Sequence, residues 1–205
     1  MPIPLFLRSL LIDFRVPLPQ YFARASRFIE WDSDRELDIW DYSKVTQSSE
    51  FDRHEMYKNV APHINNLYYV DGVRIRDLSF NDEDMLNLCK IEKKYYVISI
   101  ETDGEVTDAS IDYIYDNNPS IISLHLRGIQ IGESGLEKIA LMTSLKSITI
   151  IPVQNSPIPD NRLVEKIILL PKIRDIVLPN DWLENDSVKQ CIKERKDVTI
   201  RSFSL

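Results

Sequence analysis

The sequence predicts an α/β solenoid, in which short parallel strands alternate with helices and stack into one sheet. Three observations predict it: an apolar strand pattern that recurs at a regular period, a helix-spaced apolar set after each copy, and short polar residues before these sets. A unit of this kind cannot bury its own apolar face, so the units must stack on one another. We expect a short right-handed superhelix of about five to six units, with the parallel sheet on its concave face.

The strand pattern is an apolar residue, two residues of any kind, a second apolar residue, one of any kind and a third apolar residue. Because side chains alternate along a strand, the last two apolar residues of each copy are predicted to face the core. The copies end at residues 80, 100, 126, 150 and 178, and a partial copy ends at 200, so the steps are 20, 26, 24, 28 and 22. The copies are Ile75, Leu78 and Phe80; Tyr95, Ile98 and Ile100; Ile121, Leu124 and Leu126; Leu145, Ile148 and Ile150; Ile173, Ile176 and Leu178; and the partial Val198 and Ile200.

Apolar residues spaced three or four apart follow each strand copy, which places them on one face of a helix. They are Met85, Leu86 and Cys89; Ile111, Ile114 and Tyr115; Leu136, Ile139 and Ala140; Leu163, Val164, Ile167 and Ile168; and Val188, Cys191 and Ile192. Short polar side chains precede these sets and can accept hydrogen bonds from the free N–H groups of a first helical turn. They are Asn81 and Asp82, Thr107 and Asp108, Ser134, Asp160 and Asn161, and Asn185 to Ser187.

The third copy and its surroundings, IISLHLRGIQIGESGLEKIALMTSLKSITI (Ile121 to Ile150), resemble the ribonuclease-inhibitor-like and F-box-associated class of leucine-rich repeats. The second copy carries VTDASIDYI (Val106 to Ile114), which is similar to the valine-threonine-aspartate turn of that class. The resemblance covers Val73 to Phe203, and all five steps lie within the ~20–29-residue period of such repeats. It implies a non-enzymatic adaptor or assembly factor that binds a protein partner on the concave face and needs no cofactor.

The outward positions of the predicted strands form the expected binding surface. Arg127 stands beside small hydroxyl residues and is predicted to act as an anchor, since arginine is enriched among residues that dominate binding. His125 is expected to titrate near neutral pH. The candidate partner-binding residues are Asp77, Ser79, Ser99, Glu101, Ser123, His125, Arg127, Thr149 and Asp175.

The N-terminal third does not follow the repeat, so we divide the chain into an arm and cap, 1–70, and a solenoid, 71–205. Alternating apolar and polar residues predict a β-hairpin at about residues 27–42. A solenoid end exposes its apolar core, so this segment is predicted to cap it. The alternative is a separate binding module built on Trp31, Trp40 and Tyr42.

No residue pattern predicts catalysis or a metal site. His54 and His63 are nine residues apart, too far for one helical face, and are interpreted as surface histidines. Gly128, Gly132 and Gly135 have the wrong spacing for a dinucleotide fingerprint and are interpreted as part of the turn into a helix. A remote alternative is an enzyme with an unrecognised site in residues 1–70.

The composition of the chain argues against some classes of partner and environment. The 205 residues have a net charge of −7, a pI near 5.1 and no basic cluster, which argues against nucleic acid. No apolar stretch is long enough to span a membrane. Cys89 and Cys191 are predicted to be buried thiols in a reducing compartment, which favours the cytoplasm. The oligomeric state stays open, with a monomer favoured.

An Arg-rich, acid-poor start leaves a second location open. Residues 1–28 carry a net charge of +3, which is typical of a mitochondrial targeting peptide or of an arm packed on an acidic body. The alternative location is therefore the mitochondrial matrix. The alternative function is a structural subunit of a larger complex.

Overall fold

The computed structural model describes residues 29–31, 36–40, 72–76, 80–89, 94–103 and 105–204. Within these ranges the chain forms one eight-stranded sheet, and the strands are ordered across it as they are in the sequence. Strands β2 to β8 run parallel, and β1 runs antiparallel to β2. The strands are β1 Ile29–Trp31, β2 Glu36–Trp40, β3 Gly72–Arg76, β4 Val97–Glu101, β5 Ser123–Ile129, β6 Ser147–Pro152, β7 Asp175–Pro179 and β8 Thr199–Phe203.

Helices alternate with the last six strands. One helix lies in each connection from β3 to β7, and two lie between β7 and β8. They are α1 Asp82–Cys89, α2 Asp108–Asn117, α3 Glu133–Ala140, α4 Asn161–Ile168, α5 Asn180–Leu183 and α6 Asp186–Glu194. Helices α1 to α4 and then α6 pack side by side in chain order. The α/β class is confirmed, and the arrangement is compatible with a βα solenoid.

The core lies between the sheet and the helix layer. In β4, β5 and β6 buried residues alternate with half-buried or exposed ones, so one face of each strand packs on the helices and the other does not. The residues that meet in the core include Ile98, Leu124, Ile148, Ile176 and Ile167, each at most 1% exposed. A buried aliphatic side chain of this size contributes about 1.5–3 kcal/mol of transfer free energy.

The registers of the first and last strand copies were predicted wrongly. In the structure Ile100 pairs with Ile75 and not with Phe80, and Ile200 pairs with Ile176 and not with Leu178. Phe80 is buried, but it follows β3 and precedes α1. The inward residues that align across the sheet are Val73, Ile98, Leu124, Ile148, Ile176 and Ile200, so the steps are 25, 26, 24, 28 and 24.

The predicted helix faces are largely confirmed. All four predicted residues of α4 are buried: Leu163, Val164, Ile167 and Ile168. In α1 the prediction of Leu86 was wrong, because Leu88 takes the buried position and Leu86 is half-buried. Three predicted partners at the rim of the core, Tyr115, Ala140 and Ile192, are only partly buried.

Helix caps agree with the sequence at four of the five helices for which they were predicted. The side chains of Thr107, Asp160 and Asn185 each accept a hydrogen bond from the backbone N–H two residues on. Asn81 Oδ1 accepts from the N–H groups of Glu83 and Asp84. These bonds satisfy N–H groups that would otherwise lack partners in the first turn.

The start of α3 is capped from the neighbouring repeat. Gly132, which precedes the helix, has no side-chain cap of its own, and Ser134 is not the cap. The backbone N–H of Gly132 donates instead to Asp108 Oδ1 on α2, at 2.7 Å. A Cβ at Gly135 would lie 2.4 Å from that same carboxylate oxygen, so this glycine makes room for Asp108.

Gly128 has φ +69°, and a Cβ there would lie 1.9 Å from the Thr102 carbonyl oxygen.

The remaining predictions about the chain have mixed outcomes. Cys89 and Cys191 are free and buried, as predicted. Strands β1 and β2 pair antiparallel, with Glu30 opposite Asp38. The rest of the predicted cap, including Tyr42, His54 and His63, lies outside the described residues. In the described part of the chain, no helix is long and apolar enough to cross a membrane.

Candidate interaction face

The side of the sheet turned away from the helices carries the candidate site. We call it the outer sheet face, and the parallel register arranges its residues in rows across the strands. The first row is Gly72, Val97, Ser123, Ser147, Asp175 and Thr199. The middle row is Arg74, Ser99, His125, Thr149, Val177 and Arg201, and the last row includes Arg76, Glu101, Arg127 and Ile151.

The centre of the outer sheet face is uncharged at neutral pH. Adjacent strands β4, β5 and β6 contribute four hydroxyl side chains around one imidazole, all of them half-buried. We call this set the central patch; it consists of Ser99, Ser123, His125, Ser147 and Thr149. Its members neighbour one another because parallel strands lie about 4.8 Å apart, so residues some 24 to 26 apart in the chain become adjacent.

A hydrogen-bonded chain holds the imidazole in place. His125 Nε2 lies 2.7 Å from Ser123 Oγ, and His125 Nδ1 lies 2.9 Å from Thr149 Oγ1. Both ring nitrogens therefore have hydroxyl partners, and the ring bridges β5 and β6. Burial lowers the pKa of His125 below its usual 6.5; the Asp175 carboxylate opposes this shift, while the Arg74 and Arg201 guanidinium groups add to it.

Charged residues lie around the central patch. Arg201 Nη2 donates to Asp175 Oδ2 at 2.7 Å, and Arg127 Nη1 lies 3.7 Å from Glu101 Oε1. Both pairs are solvent-exposed, so each contributes no more than about 1 kcal/mol. Arg74 stands on β3 next to the central patch, and the register places Asp38 of β2 beside it. The result is a neutral centre within a mixed-charge perimeter.

The contact between Ser123 and His125 has the form of a nucleophile beside a base. Acyl transfer also needs donors aimed at a developing oxyanion, usually backbone N–H groups. The N–H groups of β5 take part in the ladders with β4 and β6 instead.

Among the described residues, no group of three or more His, Cys, Asp or Glu side chains could hold a metal ion.

Cys89 is a further group of reactive type in the described chain. Its Sγ lies 3.6 Å from Met85 Sδ inside the core, and burial raises the pKa of the thiol to about 12, with Lys94 opposing the shift. A thiol that stays protonated at neutral pH is a poor nucleophile. Cys89 therefore packs as a small apolar residue.

Most predicted site residues come together. Ser99, Ser123, His125 and Thr149 fall in the central patch, and Glu101, Arg127 and Asp175 fall on its perimeter. Asp77 and Ser79 were predicted as outward residues of the first strand, but that strand ends at Arg76, and both lie outside the described residues. Their places in the rows belong to Gly72 and Arg74, because the predicted register was shifted by five residues.

The prediction missed residues at both ends of the sheet. Val70, Val73 and Ile75 fit the strand pattern as well as the copy that was chosen, and this signal would have identified Arg74 and Arg76. At the other end, Asp197 and Ser202 occupy two of the three positions that are apolar in earlier copies. The pattern is too weak there to have revealed Arg201.

A scan against protein-family models and a search of curated proteins each found no match for this chain.

Proposed function

We propose that this chain is a leucine-rich-repeat protein that serves as a non-enzymatic interaction module, an adaptor or assembly factor, and binds a protein partner on its outer sheet face. We expect this face to be the concave one. The single observation that carries the proposal is the uncharged central patch within a charged perimeter, which no described helix covers. The placement of charge matches that of protein interfaces, which hold few charged residues at the centre and have a polar, hydrated rim.

Location and assembly are part of the same proposal. We place the protein in the cytoplasm, because its two unpaired thiols fit a reducing compartment, and we expect a monomer. The mitochondrial matrix is the alternative, on the ground of the net charge of +3 in residues 1–28.

Affinity capture with mass spectrometry tests the binding surface. The face variant combines Glu101→Ala, His125→Ala and Arg127→Ala. Its matched control combines Glu137→Ala, Ser134→Ala and Arg162→Ala, which remove the same formal charges from exposed positions of the helix layer. We expect at least one protein to be enriched by the native chain and the control and lost with the face variant. Equal recovery by all three would show that the outer sheet face is not the binding surface.

A second candidate function is a structural subunit of a larger complex. Leu141, Ile158 and Leu169 are 56%, 61% and 54% exposed, and two of them lie at the ends of the neighbouring helices α3 and α4. Neighbouring subunits would bury such side chains. Sedimentation of the purified chain separates the two functions: a stable monomer supports the adaptor, and aggregation that a co-expressed partner relieves supports the subunit.

A further inference from the structure

His125 occupies the position at which a bound partner would exclude water most completely. It lies in the middle row on β5, with Ser99 of β4 on one side and Thr149 of β6 on the other. Protein already surrounds part of the ring, since the residue is half-buried in the free chain. Residues at the centre of an interface lose the rest of their water on binding.

The neutral form of the ring fits its hydrogen-bond partners. A neutral imidazole has one N–H and one unprotonated nitrogen, so one hydroxyl accepts and the other donates. Ser123 at 2.7 Å and Thr149 at 2.9 Å supply these two partners. Both are uncharged, so neither balances the charge of an imidazolium.

The charged groups that face His125 provide little compensation for a proton. Arg74 on β3 and Arg201 on β8 both disfavour the imidazolium, while Asp175 on β7 favours it. The Asp175 carboxylate already bonds Arg201 at 2.7 Å. Glu101 on β4 and Arg127 on the same strand as His125 lie next to one another in the last row and largely offset each other.

We propose that the outer sheet face binds its partner while His125 is neutral, so that acidification releases the partner. The partner places uncharged groups over the central patch and brings no carboxylate to the ring. This inference rests on the proposed function and adds its regulation. The physical cause is desolvation, because covering the ring removes the water that would otherwise stabilise its charge.

The coupling between protonation of His125 and partner binding fixes the direction of the pH effect on affinity and its limit. If binding disfavours the imidazolium, a protonated His125 must release its proton before the complex forms. Affinity is then constant above the pKa of the free chain and falls below it by up to about tenfold per pH unit. We expect the dissociation constant to be larger at pH 5.0 than at pH 7.5, by at most about tenfold for each pH unit below the pKa of the free chain.

The test uses the full chain and the partner that is captured by the native chain and lost with the face variant. Titration calorimetry at pH 7.5 and pH 5.0 compares the native chain, His125→Gln, and a control carrying His54→Gln and His63→Gln. Glutamine is neutral at both pH values and can still bond Ser123 and Thr149. We expect the native chain and the control to lose affinity in acid, and His125→Gln to lose at least about threefold less.

A second measurement keeps the test decisive if His125→Gln does not bind. The ¹⁵N shifts of the imidazole report the pKa of His125 in the free chain and in the complex. A lower pKa in the complex supports the inference, whereas an equal or higher value overturns it.

The two proposals fail in different ways. If the face variant captures every protein that the native chain captures, the proposed function fails and the pH switch fails with it. If a partner is lost with the face variant but binds the native chain and His125→Gln with the same pH dependence, the binding function stands and only the switch is wrong.

Discussion

His125 shows how a single residue links the stability of the fold to pH. Its ring nitrogens bond Ser123 and Thr149, and burial lowers its pKa below 6.5 in the folded chain. In the unfolded chain the ring is hydrated and titrates near its ordinary value. Below pH 6.5 the unfolded state therefore binds more protons than the folded state, and the fold loses stability on acidification.

We expect this contribution to be fully present above pH 6.5 and to decline as the pH falls through the folded-state pKa. Urea unfolding of the native chain and of His125→Gln at pH 7.5, 6.0 and 5.0 measures it. The stability advantage of the native chain over the variant should shrink toward pH 5.0. An advantage that is constant with pH, or one that grows in acid, would contradict the assigned direction of the pKa shift.

Helix starts in this fold are joined across neighbouring repeats. The Asp82 carboxylate on α1 accepts from the Thr107 N–H at 2.9 Å and from the Thr107 hydroxyl at 2.6 Å, and it also accepts from the Ser110 hydroxyl. Asp108 on α2 accepts from the Gly132 N–H in the same way. A carboxylate at a helix start also interacts favourably with the positive end of the helix dipole. Each of these aspartates stabilises the helix that follows its own.

Removal of the contacts that Asp82 makes should destabilise the fold. We expect Asp82→Ala to lower the free energy of unfolding by about 2–4 kcal/mol, since it leaves the start of α2 without its charged acceptor. Glu83→Ala is the matched control, because Glu83 is an exposed neighbour in the same helical turn, and it should change stability by less than about 0.5 kcal/mol. Chemical denaturation followed by circular dichroism measures both. Equal effects of the two substitutions would refute the cross-repeat role of Asp82.

The described sheet is a row of strands in chain order, and its last strand differs from its middle ones. Ile148 on β6 is fully buried, whereas Ile200 occupies the matching place on β8 and is only partly buried. Arg195 closes this end of the described sheet, where its Nη1 donates to the carbonyl oxygen of Ile168 at 2.7 Å and its Nε bonds Asp197 Oδ1 at 3.0 Å. Stability in such an array is the sum of units and of the interfaces between neighbours.

Equivalent substitutions should therefore have unequal effects along the array. We expect Ile148→Ala to lower the free energy of unfolding by about 3–5 kcal/mol, because it opens a cavity between two neighbours. Ile200→Ala should lower it by less than about 2 kcal/mol, since solvent already reaches that site. Thermal and urea unfolding of both variants provide the measurement. A larger loss for Ile200→Ala would show that the C-terminal unit carries more of the stability than its burial indicates.

The sequence alone determined the class of the fold, the middle of the repeat and most of the candidate face. Ile98, Leu124, Ile148 and Ile176 repeat at a period that fits stacked strand–helix units, and the helix-spaced set of α4 matches its buried face. These features follow from hydrophobic periodicity, which is a local property of the chain. The central patch followed directly, because alternation along a strand assigns each residue to one face.

Only the tertiary structure decided the registers at the ends and the contacts between repeats. Two apolar patterns compete for the first strand, and pairing of Ile75 with Ile100 selects one of them. Glycine is required at position 135 because Asp108, in the previous helix, occupies the space that a side chain there would fill. No local pattern records such contacts, since the two partners lie about one repeat apart in the chain and meet only when neighbouring units stack.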